Sequence, residues 1–392
     1  MRKNLSLIKK TFAIVTMAAL LFTGCGNKAS DSVKEPDSSA VVTESVSKDE
    51  TPVPTQADIT ETATPTVPPV TDTPTPTPKP EYENISNNEP GHHEYNPHFF
   101  SSMYYKEFGD KYRDTIFAMV DAVRAGEDSF ACPDRETYDW CTGRLSNFFC
   151  PIMTHYCTVF DPNGGPSYEN GRGYIFYTIP KEEFIEKEKA FEDEIVAVLD
   201  DCVSDDYNDF EKALALYEYM ARNYTYDYEM SSDMNERMKE QSAYRCMTEK
   251  RGICNELARL YSILLMQVGV DVNNITGDVV SGLSTEGHEW NFVTIDGVSY
   301  HIDTTWALTS DLLTLGCFMM TDKLRSERDF IPLNTLAIGT KGREGFSFFN
   351  FSATDNRYEA IWETYYLGMD RSTQELVLQN NSGDQIRFKY GN

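Results

Sequence analysis

The chain has 392 residues, with 62 Asp and Glu against 35 Lys and Arg and a formal net charge of -27. That balance argues against a nucleic-acid binder, because neutralising phosphates takes clustered cationic side chains that are missing here; it implies solubility and little else. The length allows more than one domain.

Met1-Arg2-Lys3, with Lys9 and Lys10, precedes an apolar run from about Phe12 to Phe22. This is the charged start and short apolar middle of an export signal, too short to span a bilayer. No later apolar stretch reaches the roughly 18 residues that a membrane span requires. The run ends in Leu21-Phe22-Thr23-Gly24-Cys25, which resembles the lipobox of bacterial lipoproteins, with Phe22 standing where Leu is more usual. The resemblance implies that residues 1–25 are a lipoprotein signal peptide. Cys25 would become the lipidated first residue, anchored at the extracytoplasmic face of the cell membrane. The plain alternative is a secretory peptide with an incidental cysteine.

Residues 26–91 are rich in Ser, Thr, Pro, Asp and Glu, including Thr73-Pro74-Thr75-Pro76-Thr77-Pro78-Lys79-Pro80, and have little from which to build a core. They read as a disordered stalk with a coil span of roughly 45 Å, extended further by its proline-rich part. An accessory region, mostly helical, is expected over 92–205. It holds a Gly-rich loop at Asn163-Gly164-Gly165-Pro166 and a strand at Tyr174–Ile179. Pro180 then opens a long helix bearing Phe184, Ile185, Phe191, Ile195, Val198 and Leu199 at helical spacing. The core domain is expected over 206–325. It opens with a helix carrying Phe210, Ala213, Leu214, Tyr217 and Met220. Residues 326–392 are expected to extend its sheet, with a strand at Glu375–Leu378, a turn at Asn381–Asp384 and alternation at Ile386, Phe388 and Tyr390.

Nine cysteines in an exported chain invite a disulfide reading. With Cys25 assigned to lipid and Cys254 to chemistry, Cys132, Cys141, Cys150, Cys157, Cys202, Cys246 and Cys317 remain. They form an odd set without a Cys-x-x-Cys pair, so no zinc site is indicated, and one or two bridges among the first four stay open. No motif suggests a metal, nucleotide or flavin cofactor.

Gly252-Ile253-Cys254 leads directly into Asn255–Leu265, whose apolar residues 257, 260, 261, 264 and 265 make one helix face. Cys254 therefore stands at a helix N-terminus, where the dipole and unpaired N–H groups favour a thiolate and can hold an oxyanion. Gly269 is suited to end that helix, and a strand follows at Ile275–Val280. Gly287–Ile295 and Val298–Asp303 then flank Asp296-Gly297, the strongest short hairpin signal. With those two as the loop, Phe292 faces His301, Trp290 faces Asp303 and His288 faces Thr305. His288 and Asp303 become diagonal neighbours on one face, roughly 7–8 Å apart at the backbone. Asp303 can then orient the imidazole and leave its other nitrogen for Cys254.

Gly252-Ile253-Cys254, His288-Glu289-Trp290-Asn291 and Asp303-Thr304-Thr305-Trp306, in this order, resemble the transglutaminase-like superfamily, which shares the papain-like cysteine-protease core. The resemblance implies an α+β fold with a catalytic Cys at a helix N-terminus packed on an antiparallel sheet, and a Cys254-His288-Asp303 triad. Asn255-Glu256 departs from the small or Gly-containing pair common after the Cys, which bears on the groove. Trp290 and Trp306 are expected to wall the site, Tyr244 to line it, and His301 to support it or fill the core. The implied activity is cysteine-dependent acyl transfer or peptidase action on a protein or peptide, such as a cell-wall or surface protein. The alternative is a surface binding or scaffold module that keeps the fold without turnover.

Overall fold

A computed structural model describes residues 92–99, 101–145, 167–230, 241–281, 284–309, 311–332 and 351–391. The export segment with Cys25, the stalk, the Asn163–Pro166 loop, Cys150 and Cys157 lie outside the described residues.

A helical turn at Ser102–Tyr104 and a wider turn at Tyr105–Gly109 run into helix α1 (Asp110–Arg124). Strand β1 (Ser129–Ala131), helix α2 (Arg135–Asp139), β2 (Tyr168–Glu169) and β3 (Arg172–Tyr174) follow, the strands ordered β1-β3-β2. The strand expected over Tyr174–Ile179 thus lies earlier. β1 offers partners only as far as Ser129, opposite Tyr174, and one further bond joins Ile175 N–H to the Asp128 carbonyl. Beyond that it joins no ladder among the described residues, and Tyr177 packs edge-on against Phe184 as the next helix begins. That helix, α3 (Lys181–Cys202), starts directly after Pro180 and buries Phe184, Phe191, Ile195, Val198 and Leu199.

Helix α4 (Asp209–Asn223) begins with a capping box. Asn208 Oδ1 accepts the Glu211 N–H, and the Glu211 carboxylate accepts the Asn208 N–H, each at 3.0 Å. Strand β4 (Thr225–Tyr226) pairs in parallel with β5 (Arg251–Gly252), with helix α5 (Ala243–Glu249) between them in sequence. Helix α6 (Cys254–Gln267) is buried on nearly every side, with Leu257, Leu260, Tyr261, Leu264 and Leu265 fully inaccessible. It ends as its sequence requires: Gly269 takes a φ of +81°, and the Val270 N–H reaches back to the Leu265 carbonyl.

The sheet beside α6 has the order β10-β6-β7-β8, with β6 (Asp271–Ser281), β7 (Ser284–Ile295), β8 (Val298–Ile302) and β10 (Phe330–Pro332) all antiparallel. The Asp296-Gly297 turn has φ values of 50° and 77°, the left-handed pair that a two-residue hairpin demands. Its register follows the expected one from Ile295↔Val298 through Phe292↔His301 to Asn291↔Ile302, but the expected pairs Trp290–Asp303 and His288–Thr305 do not join the ladder, because the Asp303 N–H turns to the Cys317 carbonyl and the chain coils into a tight turn at Thr305–Ala307.

The C-terminal strands do not extend this sheet. β11 (Tyr365–Asp370), β12 (Glu375–Gln379) and β13 (Gln385–Lys389) join β9 (Leu313–Thr314) in a separate sheet ordered β13-β12-β11-β9. The free edge of β8 is already occupied. His301 exchanges both backbone bonds with Met320, and the Asp303 N–H donates to the Cys317 carbonyl. The second sheet docks instead on the start of α4, where the Tyr390 ring stacks on Phe210 and its hydroxyl donates to Glu211 at 2.6 Å. Among the described residues of the expected C-terminal region, only β10 enters the first sheet, at the β6 edge.

The fold is α+β with antiparallel sheets, and all described residues fall in one compact unit. Among them, no helix is long and apolar enough to cross a membrane. Cys132, Cys141, Cys202, Cys246 and Cys317 are free thiols.

Because α6 is enclosed, truncating its face opens a cavity. Leu264→Ala should lower the unfolding free energy by about 2–5 kcal/mol in urea melts. A loss well under 1 kcal/mol would contradict the enclosed position of this helix.

Candidate active site

Cys254 is the first residue of α6 and is half-buried. Its place is fixed from behind. A Cβ on Gly252 would lie 2.8 Å from Cys246 Sγ and 3.2 Å from Glu256 Cβ, so the approach to the helix admits only glycine. Glu256, 1% exposed, turns back and accepts the Ile253 N–H at 3.0 Å and the Ser242 N–H at 2.9 Å. Arg245 grips the same carboxylate with two bonds, Nε to Oε1 at 3.0 Å and Nη2 to Oε2 at 2.8 Å. Its Nη1 and Nη2 both donate to Asp227 Oδ2. The buried Arg–carboxylate cluster thus ties α5, the loop after β4 and the start of α6 together. Glu256, unusual beside the cysteine, faces this clamp and not the groove. Asn255 is held to Gln241 at 3.2 Å.

His288 lies on β7 and Asp303 one residue past β8. The Asp303 carboxylate is wholly buried, its Oδ2 2.6 Å from His288 Nε2 and its Oδ1 accepting the Thr305 N–H at 2.8 Å. With Nε2 so engaged, Nδ1 is the nitrogen left for Cys254, which lies near enough to the imidazole to bear on its charge. Burial alone pushes the imidazole's pKa down. The charge and hydrogen bond of Asp303, reinforced by Cys254, overcome this and raise it to about 10. The folded value lies above the unfolded one of about 6.5. The stabilisation it brings is therefore full below that lower pH and lost as pH rises through about 10.

Aromatic rings surround the imidazole. Trp290 stacks on it at 5.9 Å and 19°, Phe330 lies 5.3 Å away, and Trp306 stands edge-on at 6.5 Å. Trp306, expected to wall the site, is half-buried and packs against the core. Trp290 does not meet substrate as expected: it is 0% exposed, covered by Phe330, and its surface is spent on the imidazole. Tyr244 packs on Phe191 of α3 at 6.2 Å, a contact with the accessory region. Phe330 was not anticipated; it arrives from β10, and no local pattern in its polar surroundings marks it.

A polar seam joins the helix that carries Cys254 to the strand that carries His288. Asn291 Nδ2 donates to the Ala258 carbonyl at 2.8 Å, Ser262 Oγ at 2.8 Å and Asn274 Oδ1 at 3.0 Å. Ser262 also donates to Asn274, and Arg259 pairs with Glu289 at 3.2 Å. Among the described residues, no group of three or more His, Cys, Asp or Glu is arranged to hold a metal ion.

Residues 196–304, which carry α4 to α6, the β6–β8 hairpins, Cys254, His288 and Asp303, match the family model of the transglutaminase-like superfamily. That segment is a transglutaminase-like domain. Solved structures similar to the chain include a candidate cysteine protease from Cytophaga hutchinsonii, at 16% identity and a TM-score of 0.23, aligned over 31% of this chain and 34% of that one. A TGase matches at 17% and 0.27 over 36% and 41%, and LapG of Legionella pneumophila at 17% and 0.24 over 39% and 71%. The chain thus spans about a third to two-fifths of the length of the first two. No curated protein matches the chain.

Arg245→Met would leave Glu256 buried without its cation and Asp227 with only the more distant Arg251, 3.7 Å away, at a cost of roughly 3–5 kcal/mol near neutral pH. Burial works to raise the Asp227 pKa, but Arg245 and the Glu229 N–H outweigh it and hold it below the usual carboxylate value. Its stabilisation is present above an unfolded value of about 3.9 and fades as pH falls through the lower folded one. The deficit in chemical melts should therefore shrink as pH is brought below about 4. A deficit independent of pH would contradict the clamp.

Proposed function

We propose that the domain is a cysteine-dependent acyl transferase or peptidase acting on protein or peptide amides through Cys254, His288 and Asp303. The observation that carries the reading is an imidazole bonded at Nε2 to a buried carboxylate and lying near the cysteine that opens a helix. In a Cys–His pair the imidazole serves as the base that activates the sulfur. In the reaction the thiolate attacks the amide carbonyl carbon, and the carbonyl oxygen takes the charge. The first-turn N–H groups at Cys254 and Asn255, which have no partner within a helix, are the natural donors to it. The C–N bond then breaks as His288 passes its proton to the departing amine or ammonia, leaving a thioester on Cys254. An incoming amine or water gives its proton to His288, attacks the thioester and releases the thiolate. A lysine amine yields an isopeptide crosslink; water yields hydrolysis.

On this reading the domain works at the extracytoplasmic face of the cell membrane, tethered through lipid on Cys25, with a cell-wall or surface protein as substrate. The export segment, lipobox and Pro-rich spacer support that placement.

Iodoacetamide should alkylate Cys254 at pH 6 much faster than an unfolded thiol, and His288→Ala should slow it by roughly 10²-fold or more. Incubation with a Gln- and Lys-bearing protein and an amine probe should give either probe incorporation or released ammonia or peptide. Alkylation no faster than that of the unfolded chain, with no product in any channel, overturns the enzymatic reading.

A further inference from the structure

Trp290 and His301 lie outside the three-residue constellation yet hold its centre. From the geometry we infer that His301 is a positioning residue, which fixes the Trp290 indole so that this ring sets the plane of the His288 imidazole. The inference rests on the triad reading above and deepens it.

Residues two apart on a strand share a face, so Trp290 lies beside His288 on β7, with the two rings nearly parallel at 19°. The indole is seated by three neighbours. Gly277, opposite His288 on β6, leaves the slot it fills: a Cβ there would fall 2.4 Å from the indole. Phe330 lies against it at 5.6 Å. Across β8, the indole Nε1–H donates to His301 Nδ1 at 3.1 Å.

That bond fixes the tautomer of His301. Nδ1 must be unprotonated to accept from the indole, so Nε2 carries the hydrogen and donates it to Asp322 Oδ1 at 2.9 Å. Asp322 is itself anchored by Ser352 Oγ and the Ala353 N–H, both at 3.1 Å. Phe292 packs on the His301 ring at 5.1 Å, and the Arg325 cation is the other charge nearby. Burial and Arg325 hold the His301 pKa down, against the pull of Asp322, which favours the neutral ring that the indole bond requires.

The consequence is directional. His288 must aim Nε2 at Asp303 and Nδ1 at Cys254 simultaneously, which a ring free to tilt about its side-chain bonds would do only part of the time. The indole removes that tilt, and the bond to His301 removes the tilt of the indole. A small error in the aim of a general base costs rate out of proportion to the displacement.

The test compares wild type, His301→Phe, His301→Asn and Asp322→Asn by NMR titration of the His288 ring and by the pH profile of Cys254 alkylation, each on protein shown folded by its melt. In His301→Phe the indole N–H loses its acceptor. The His288 titration should move down by about one unit or more, and alkylation at pH 6 should fall roughly ten- to hundredfold. His301→Asn, whose Oδ1 stands where Nδ1 was, should recover both to within about threefold. Should His301→Phe not fold, Asp322→Asn, which loosens His301 without removing the acceptor, should shift the titration the same way by less. A folded His301→Phe or Asp322→Asn with the wild-type titration and profile overturns the inference. A shifted titration in a protein whose wild-type Cys254 is unreactive supports the positioning role and overturns the enzymatic reading instead.

Discussion

A carboxylate with no solvent exposure, such as Asp303, is costly unless its charge is met by bonded partners. Here the compensation comes from the Thr305 N–H on one oxygen and His288 on the other. The pairing does more than satisfy Asp303. It makes the protonated imidazole the favoured form deep in a ring of aromatic side chains, and so sets a positive charge beside the sulfur of Cys254. Dry surroundings and a fixed counter-charge strengthen each other, since the Coulomb term grows as water is excluded.

The two halves of this arrangement come from different layers, and each layer is pinned separately. The sulfur is placed by the start of α6, which the Arg245, Glu256 and Asp227 cluster holds from behind. The imidazole is placed by the sheet, through Asp303 on one side and the Trp290 and His301 pair on the other. Asn291 and its neighbours then stitch helix to strand. Buried polar networks of this kind act as spacers: they add little net stability but leave few alternative registers.

The hairpin and the helix were legible because their causes are local. Asp296-Gly297 dictates the turn, alternation dictates the register, and the register brings His288 and Asp303 to one face. The apolar stripe of α6 and the glycine at its end are equally local. What was illegible depends on which distant segment arrives where. Phe330 and the burial of Trp290 follow from β10 joining the β6 edge, which nothing near residue 330 announces. The C-terminal strands read correctly as strands, yet their sheet could not be assigned, because the segment from Cys317 to Met320 occupies the β8 edge first. Tyr174–Ile179 shows the converse: a run of strand-forming residues leaves the ladder where the partner strand is short.

The most direct measurement is an experimental structure of the domain after reaction with a peptide aldehyde, which a reactive thiolate captures as a covalent adduct. The account predicts a bond from Cys254 Sγ to the aldehyde carbon, with His288 Nδ1 within hydrogen-bond reach of the adduct and Nε2 still on Asp303. An unmodified Cys254, or an adduct from which the imidazole is turned away with its bond to Asp303 broken, would contradict it.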